Sequence, residues 1–212
     1  MYTLYWEYMA GSIVVQAMLE EMRANYRLRH VDMAADEHRS PAYLSCVPSG
    51  RVPAIELPDG TTIGETAAIV TLLGEHFYRS GLVPVQVGPE RAGFLYWLNV
   101  MTTAGYLTVS RKCHPERYAS SPDAIRQVEV AAAAELDAFF DMMNGAIAGK
   151  PYFLKHGHSA LDFYLAMLAE WSADKDALLA SRPALAELVR ATTQRPAYRT
   201  TMETHLLPSR AA

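Results

Sequence analysis

The chain has 212 residues, 50% of them hydrophobic and 20% charged, the balance of a soluble globular protein with enough apolar side chains for a full core. Nineteen Lys and Arg stand against 23 Asp and Glu for a net charge of −4, and no basic cluster is present of the kind that neutralises phosphates, so nucleic acid is not expected as a partner. No apolar run approaches the roughly 20 residues that span a bilayer, which argues against a membrane partner.

Met1 leads straight into Tyr2-Thr3-Leu4-Tyr5-Trp6, which reads as a strand and lacks the charged start and cleavage site of a signal peptide. A cytoplasmic protein is expected. Cys46 and Cys113 are the two cysteines, far apart and in no metal or redox spacing, so neither a disulfide nor a metal site is predicted. After a loop from Glu7 to Gly11, the apolar residues Ile13, Val14, Ala17, Met18 and Met22 share one face of a helix. Tyr26 to Val31 reads as a second strand. Ala54 to Leu57 and Thr61 to Ile63 flank Pro58-Asp59-Gly60, a tight β-hairpin by spacing and turn chemistry. The apolar positions Ala67, Ile69, Val70, Leu72 and Leu73 then switch to helical spacing, which starts a helix near Thr66.

This β-α-β-α-β-β-α order is that of a thioredoxin-like domain over residues 1–78. Gly81, Pro84, Gly88 and Pro89 mark a linker over 79–90. Residues 91–212 read as an all-helical domain. Phe94, Trp97, Leu98 and Met101 mark one helix, and Ser121-Pro122-Asp123 starts another whose stripe runs from Ile125 through Phe139 to Ile147. Ser159-Ala160-Leu161-Asp162 has capping spacing ahead of Leu165, Leu168 and Trp171. His156 and His158 have no further ligand nearby in sequence and are read as surface, with no metal.

The chemistry concentrates where the hairpin meets its helix. Val52 precedes Pro53, a bond open to the cis form, and would expose its amide and carbonyl at the strand edge. Glu65 supplies a carboxylate for an ammonium group, while Thr66 and the first amides of the helix supply donors for a carboxylate at the positive end of the helix dipole. Together they suit the α-amino acid end of a small peptide. A plain structural hairpin followed by a helix with Thr66 as its N-cap accounts for the same residues.

Gly50-Arg51-Val52-Pro53-Ala54, the Pro58-Asp59-Gly60 turn and Glu65-Thr66-Ala67-Ala68-Ile69 resemble the glutathione-binding half of the cytosolic glutathione transferase family, as do Ser40-Pro41-Ala42-Tyr43-Leu44 and Val47-Pro48 ahead of them. An Asn is more usual in that family where Val47 stands. Ser159-x-x-Asp162 and Arg195-Pro196-Ala197-Tyr198 extend the likeness into the second half. The resemblance implies a bacterial-type transferase, α+β followed by all-α, with glutathione as co-substrate held by Arg51, Val52, Pro53, Glu65 and Thr66. It also implies a homodimer, a role in detoxification, and a small apolar electrophile as second substrate.

A free thiol titrates near ~8.5, so the protein's task would be to make glutathione a thiolate. The family takes its hydrogen-bond donor from the loop after the first strand, using Tyr, Ser or Cys. In the register set by Leu4-Tyr5 and Leu19-Glu20-Glu21, the Cys position of one bacterial class falls on Gly11, and the Ser position of another falls near Ala10 or Ser12. Ser12 is the first catalytic candidate and an ordinary N-cap is its alternative; Tyr8 and Tyr5 are the reserves. Met9, Tyr106, His114 and Tyr118 are candidate lining for the second substrate. Arg111, Lys112 and Arg117 are read as a solvated charge cluster. A non-catalytic glutathione-binding or structural protein of this fold stays open, as does a glutathione-dependent isomerase, dehalogenase, ether-cleaving enzyme or peroxidase. A thiol-disulfide oxidoreductase is disfavoured, because the loop after the first strand holds no Cys.

Overall fold

Alternation along the first strand decides how the N-terminal part is layered. The structure is a computed structural model that describes residues 1–84 and 88–206; residues 85–87 of the expected linker lie outside them. By its contacts the chain divides into two units, residues 1–86 with 193–212, and residues 87–192.

In the first unit β1 (Tyr2–Trp6) is followed by α1 (Ser12–Glu21), β2 (Tyr26–His30), α2 (Pro41–Cys46), β3 (Ala54–Glu56), β4 (Thr62–Gly64) and α3 (Thr66–His76). The strands form one sheet in the order β2-β1-β3-β4, with β2 parallel and β3 antiparallel to β1. This is the thioredoxin-like arrangement. Successive side chains of β1 point to opposite faces. Tyr2 meets α3, its hydroxyl 2.9 Å from His76 Nδ1, whereas the Tyr5 ring lies 5.8 Å edge-on from Tyr43 of α2. Leu4 is fully buried and pairs with Leu28 and Ile55. The hairpin closes as its turn residues require: Gly60, at φ 89, donates to the Leu57 carbonyl, and the Thr61 amide donates to Asp59 Oδ1 at 2.9 Å.

The sequence gives α1 one apolar stripe, yet every residue from Ser12 to Leu19 is buried. The reason is α10 (Pro196–His205), which packs on α1. Gln16 Nε2 donates to Thr204 Oγ1 at 3.3 Å, and Arg195 pairs with Glu21. That helix was assigned by sequence to the second domain; through these contacts it groups with the first unit. Gly74 of α3 stands so close to Val83 that a Cβ would sit 2.4 Å from it, so only glycine fits there.

His205, 1% exposed, lies edge-on to Trp6 at 5.1 Å, and neither ring nitrogen has a partner among the described residues. Burial pushes its pKa down to about 4, against an opposing pull from Glu7. An unfolded His titrates near ~6.5, so between these values the unfolded chain binds the proton and the folded one does not. Stability is therefore present above that range and lost as pH falls through it. Urea unfolding should show a loss of about 2 kcal/mol between pH 7 and pH 5, and a His205→Phe variant should lack that part of the slope. Identical slopes in both proteins would contradict this.

The second unit is helical: α4 (Pro89–Val100), a π-helical turn at Met101–Tyr106, α5 (Leu107–Cys113), α6 (Pro122–Ala146), α7 (Ala160–Glu170), α8 (Lys175–Ala180) and α9 (Pro183–Thr193). Ser121 caps α6, accepting from the Ala124 amide at 3.3 Å, with Pro122 at the first helical position. Every residue of α7 from Ala160 to Ala169 is buried, which makes it the centre of this unit. His158 is not at the surface as expected. Its side chain is 8% exposed and packs between Tyr152 and Phe163, because the capping turn at Ser159 folds it inward.

Candidate functional site

Four helices start on their own side-chain caps: Ser40 for α2, Ser121 for α6, Ser159 with Asp162 for α7, and Asp174 for α8. The two helices that start beside the predicted site do not, a feature they share with α4, α5 and α10. α3 has Glu65 at its N-cap and α1 has Gly11, and neither makes a side-chain capping bond. The first amides of α3 are left with donor capacity at the positive end of its dipole, whereas at α1 the Ile13 amide already donates to the Ala10 carbonyl at 3.1 Å.

Glu65, not Thr66, is the N-cap of α3; Thr66 is the first helical residue and is buried. Glu65 is exposed and stands at φ 63, ψ 112, a sparsely populated conformation for a residue with a Cβ. Such strain, of order 1–3 kcal/mol, persists only when something holds it. The carbonyl of Glu65 accepts the first turn's bond from the Ile69 amide at 3.0 Å, leaving the carboxylate in solvent. The Ala54–Gly64 pairing of β3 and β4 brings the Val52-Pro53 end of one strand beside Glu65 and Thr66 at the end of the other. The Val52-Pro53 peptide is cis. Arg51 is exposed, and its carbonyl accepts the Tyr43 hydroxyl at 2.8 Å. The five predicted binding residues are thus gathered at one edge of the sheet.

The three candidate hydroxyls differ sharply in what they are free to do. Ser12 has no solvent exposure, and its Oγ donates back to the Glu7 carbonyl at 3.2 Å. Its hydroxyl proton is committed within the loop. Tyr5 donates to Glu56 Oε2 at 3.1 Å, with Arg29 over its ring at 5.4 Å. Burial, then the Glu56 carboxylate, raise its pKa, the opposite of what an activating tyrosine needs. Tyr8 is 37% exposed, and its hydroxyl has no partner among the described residues. Its ring stacks edge-on against Trp6 at 4.8 Å and tilts against His30 at 5.0 Å.

Met9 follows at φ 47 in the same loop. In the second unit, Tyr106 closes the π-helical turn with its ring perpendicular to Trp171 at 5.1 Å. His114 is exposed with Nδ1 3.5 Å from Glu116, and the Tyr118 hydroxyl lies 3.3 Å from Ser110 Oγ. Arg111 is paired with Glu135.

The sequence of residues 12–76 matches the family described as glutathione S-transferase, N-terminal domain. A glutathione transferase homologue from Sulfitobacter, solved with bound glutathione, superposes with a TM-score of 0.88 at 25% identity, covering 96% of this chain and 98% of that one. The chain thus carries a glutathione S-transferase N-terminal domain and shares the fold of bacterial glutathione transferases along nearly its whole length. A sphingomonad glutathione S-transferase complexed with glutathione gives a TM-score of 0.83 at 25% identity over 96% and 98% of the two chains. Glutathione S-transferase GstA of Escherichia coli O157:H7 is 25% identical over 80% of this chain and 81% of its own. Maleylacetoacetate isomerase of Pseudomonas aeruginosa is 32% identical over 43% of this chain and 44% of its own, so that match spans less than half of either protein.

Glu7 and His30 escaped the sequence reading. They come together because parallel pairing sets Trp6 opposite His30, and no local pattern announces that register. Among the described residues no group of three or more His, Cys, Asp and Glu side chains could hold a metal ion, and no helix is long and apolar enough to cross a membrane.

Proposed function

We propose that this chain is a glutathione transferase that binds the tripeptide at the mouth of α3 and delivers its thiolate to an apolar electrophile. The observation that carries this reading is Glu65, held strained and exposed ahead of a helix that no side chain caps. The Glu65 carboxylate takes the α-ammonium of glutathione, the amides of Thr66 and its successors take the α-carboxylate, and the Val52 backbone pairs with the peptide. The thiol sits at the mouth of α1, where the Tyr8 hydroxyl donates to sulfur. That stabilises the thiolate, and its proton leaves to solvent. The thiolate then attacks an electrophilic carbon. A C–S bond forms and the leaving group departs with its electron pair. On the first unit, Met9 of the same loop as Tyr8 borders the second substrate.

Turnover with a chlorodinitroarene tests the assignment of the donor. Tyr8→Phe should lower kcat about tenfold, whereas Ser12→Ala should stay within about threefold, because its hydroxyl serves the loop. The reverse ranking would put the Ser12 hydroxyl back as donor. A second reading, isomerisation at the same site, is favoured by the identity with maleylacetoacetate isomerase; it would show product formed without consumption of glutathione.

Further features support a homodimer, for which sedimentation equilibrium is the check: Val130, Met142 and Leu107 are exposed apolar residues of the helical unit. Two exposed free thiols, Cys46 and Cys113, fit a reducing cytoplasm and a detoxifying role. Cell fractionation and survival of a deletion strain under electrophile challenge test these.

A further inference from the structure

We infer that Glu7 is a positioning residue that sets the conformation of the loop carrying Tyr8 and the mouth of α1. The inference rests on the thiol-activation reading above and assigns a role to a residue which that reading does not use.

Glu7 is the first residue after β1, and its side chain is 18% exposed. Both carboxylate oxygens are engaged. Oε1 accepts the Tyr8 amide at 2.7 Å and His30 Nε2 at 2.9 Å, while Oε2 accepts the Met33 amide at 2.9 Å. Its carbonyl takes the Ser12 hydroxyl. One residue therefore ties four points: the loop, the end of β2, the segment beyond it, and the first residue of α1.

Two features show what the tie works against. Met9, next in the loop, is held at φ 47, a left-handed conformation that a residue with a Cβ adopts only under restraint. The rings of Trp6, Tyr8 and His30 also pack on one another, with centroids 4.8 to 5.3 Å apart. His30 thus holds one face of the Tyr8 ring while Glu7 holds His30. Burial alone would push the Glu7 carboxyl upward, but the Met33 amide, His30 and the Tyr8 amide outweigh it and keep the group ionised below the usual range. A carboxylate can accept on every side. A glutamine has one acceptor oxygen, and its amide nitrogen would face an N–H.

The test uses the full chain as Glu7→Gln, Tyr8→Phe and the double variant, with glutathione and a chlorodinitroarene. Glu7→Gln should lower kcat about tenfold while KM for glutathione stays within about twofold, since misplacement of about an ångström is enough to cost this much. Hydrogen exchange at the Tyr8 and Met33 amides should quicken. Because Glu7 acts through Tyr8, the double variant should be no slower than the slower single one. Multiplying losses in the double variant, unchanged kcat in Glu7→Gln, or a matching collapse of KM and melting temperature would each overturn the inference. Should Tyr8→Phe alone change nothing, the donor reading fails by itself. Glu7→Gln then decides: a fall in kcat with faster exchange upholds the anchoring of the loop, and no fall removes it.

Discussion

Asp162→Ala should cost about 3–4 kcal/mol of stability, enough to lower the urea midpoint sharply in a protein whose total is on the order of 5–15 kcal/mol. Asp162 has no solvent exposure and serves three donors. Oδ1 accepts the Phe153 amide at 2.7 Å; Oδ2 accepts the Ser159 amide at 2.7 Å and the Ser159 hydroxyl at 3.1 Å. Truncation strands two buried amides at about 1–3 kcal/mol each, partly offset because a buried carboxylate no longer has to be desolvated. The cap of α7 goes with it, and α7 is the buried centre of its unit. Asp162→Asn keeps one acceptor oxygen and should lose about half as much. Equal midpoints for wild type and Asp162→Ala would mean that the turn finds other partners.

Glu65 should show the opposite balance between stability and function. Glu65→Ala is expected to weaken glutathione binding about tenfold by calorimetry, the ~1.4 kcal/mol of a charge-assisted contact that remains partly solvated. Glu65→Gln, which keeps an oxygen but not the charge, should fall between. Glu65→Gly is the sharper test. Glycine accepts φ 63 without a Cβ clash, so the variant should unfold at the same or a higher urea concentration, with the relief of strain set against the added freedom of the unfolded chain. Its affinity should still drop. A stable Glu65→Gly that binds as tightly as wild type would mean the carboxylate does not touch the ligand, and that the strain at this position has some other cause.

How much of this could be read in advance follows the range of the interactions. The hairpin was legible because Pro58-Asp59-Gly60 closes a turn through neighbours, and the start of α3 because periodicity changes there. The Ser-x-x-Asp cap is likewise a short-range motif, and Ser159 and Asp162 engage as their spacing requires. The roles of the three hydroxyls were not legible. Ser12 reads as a free donor in sequence, and only the folded loop shows its proton turned back on Glu7. Tyr5 alternates onto the face that meets Glu56, a partner 51 residues away. Full burial of α1 depends on α10, nearly the whole chain distant, and neither helix's own stripe predicts the pairing. Glu7 is an unremarked loop acid until β1 and β2 align.

The central claim is that this fold holds glutathione with its sulfur at an uncapped helix mouth and ionises it. Ultraviolet titration of the thiolate in the glutathione complex addresses that claim without any choice of second substrate. The account predicts a bound thiol that titrates at least one unit below the ~8.5 of a free thiol, with the shift reduced in Tyr8→Phe. A bound thiol that titrates where the free one does would contradict it and leave a protein that carries glutathione without activating it.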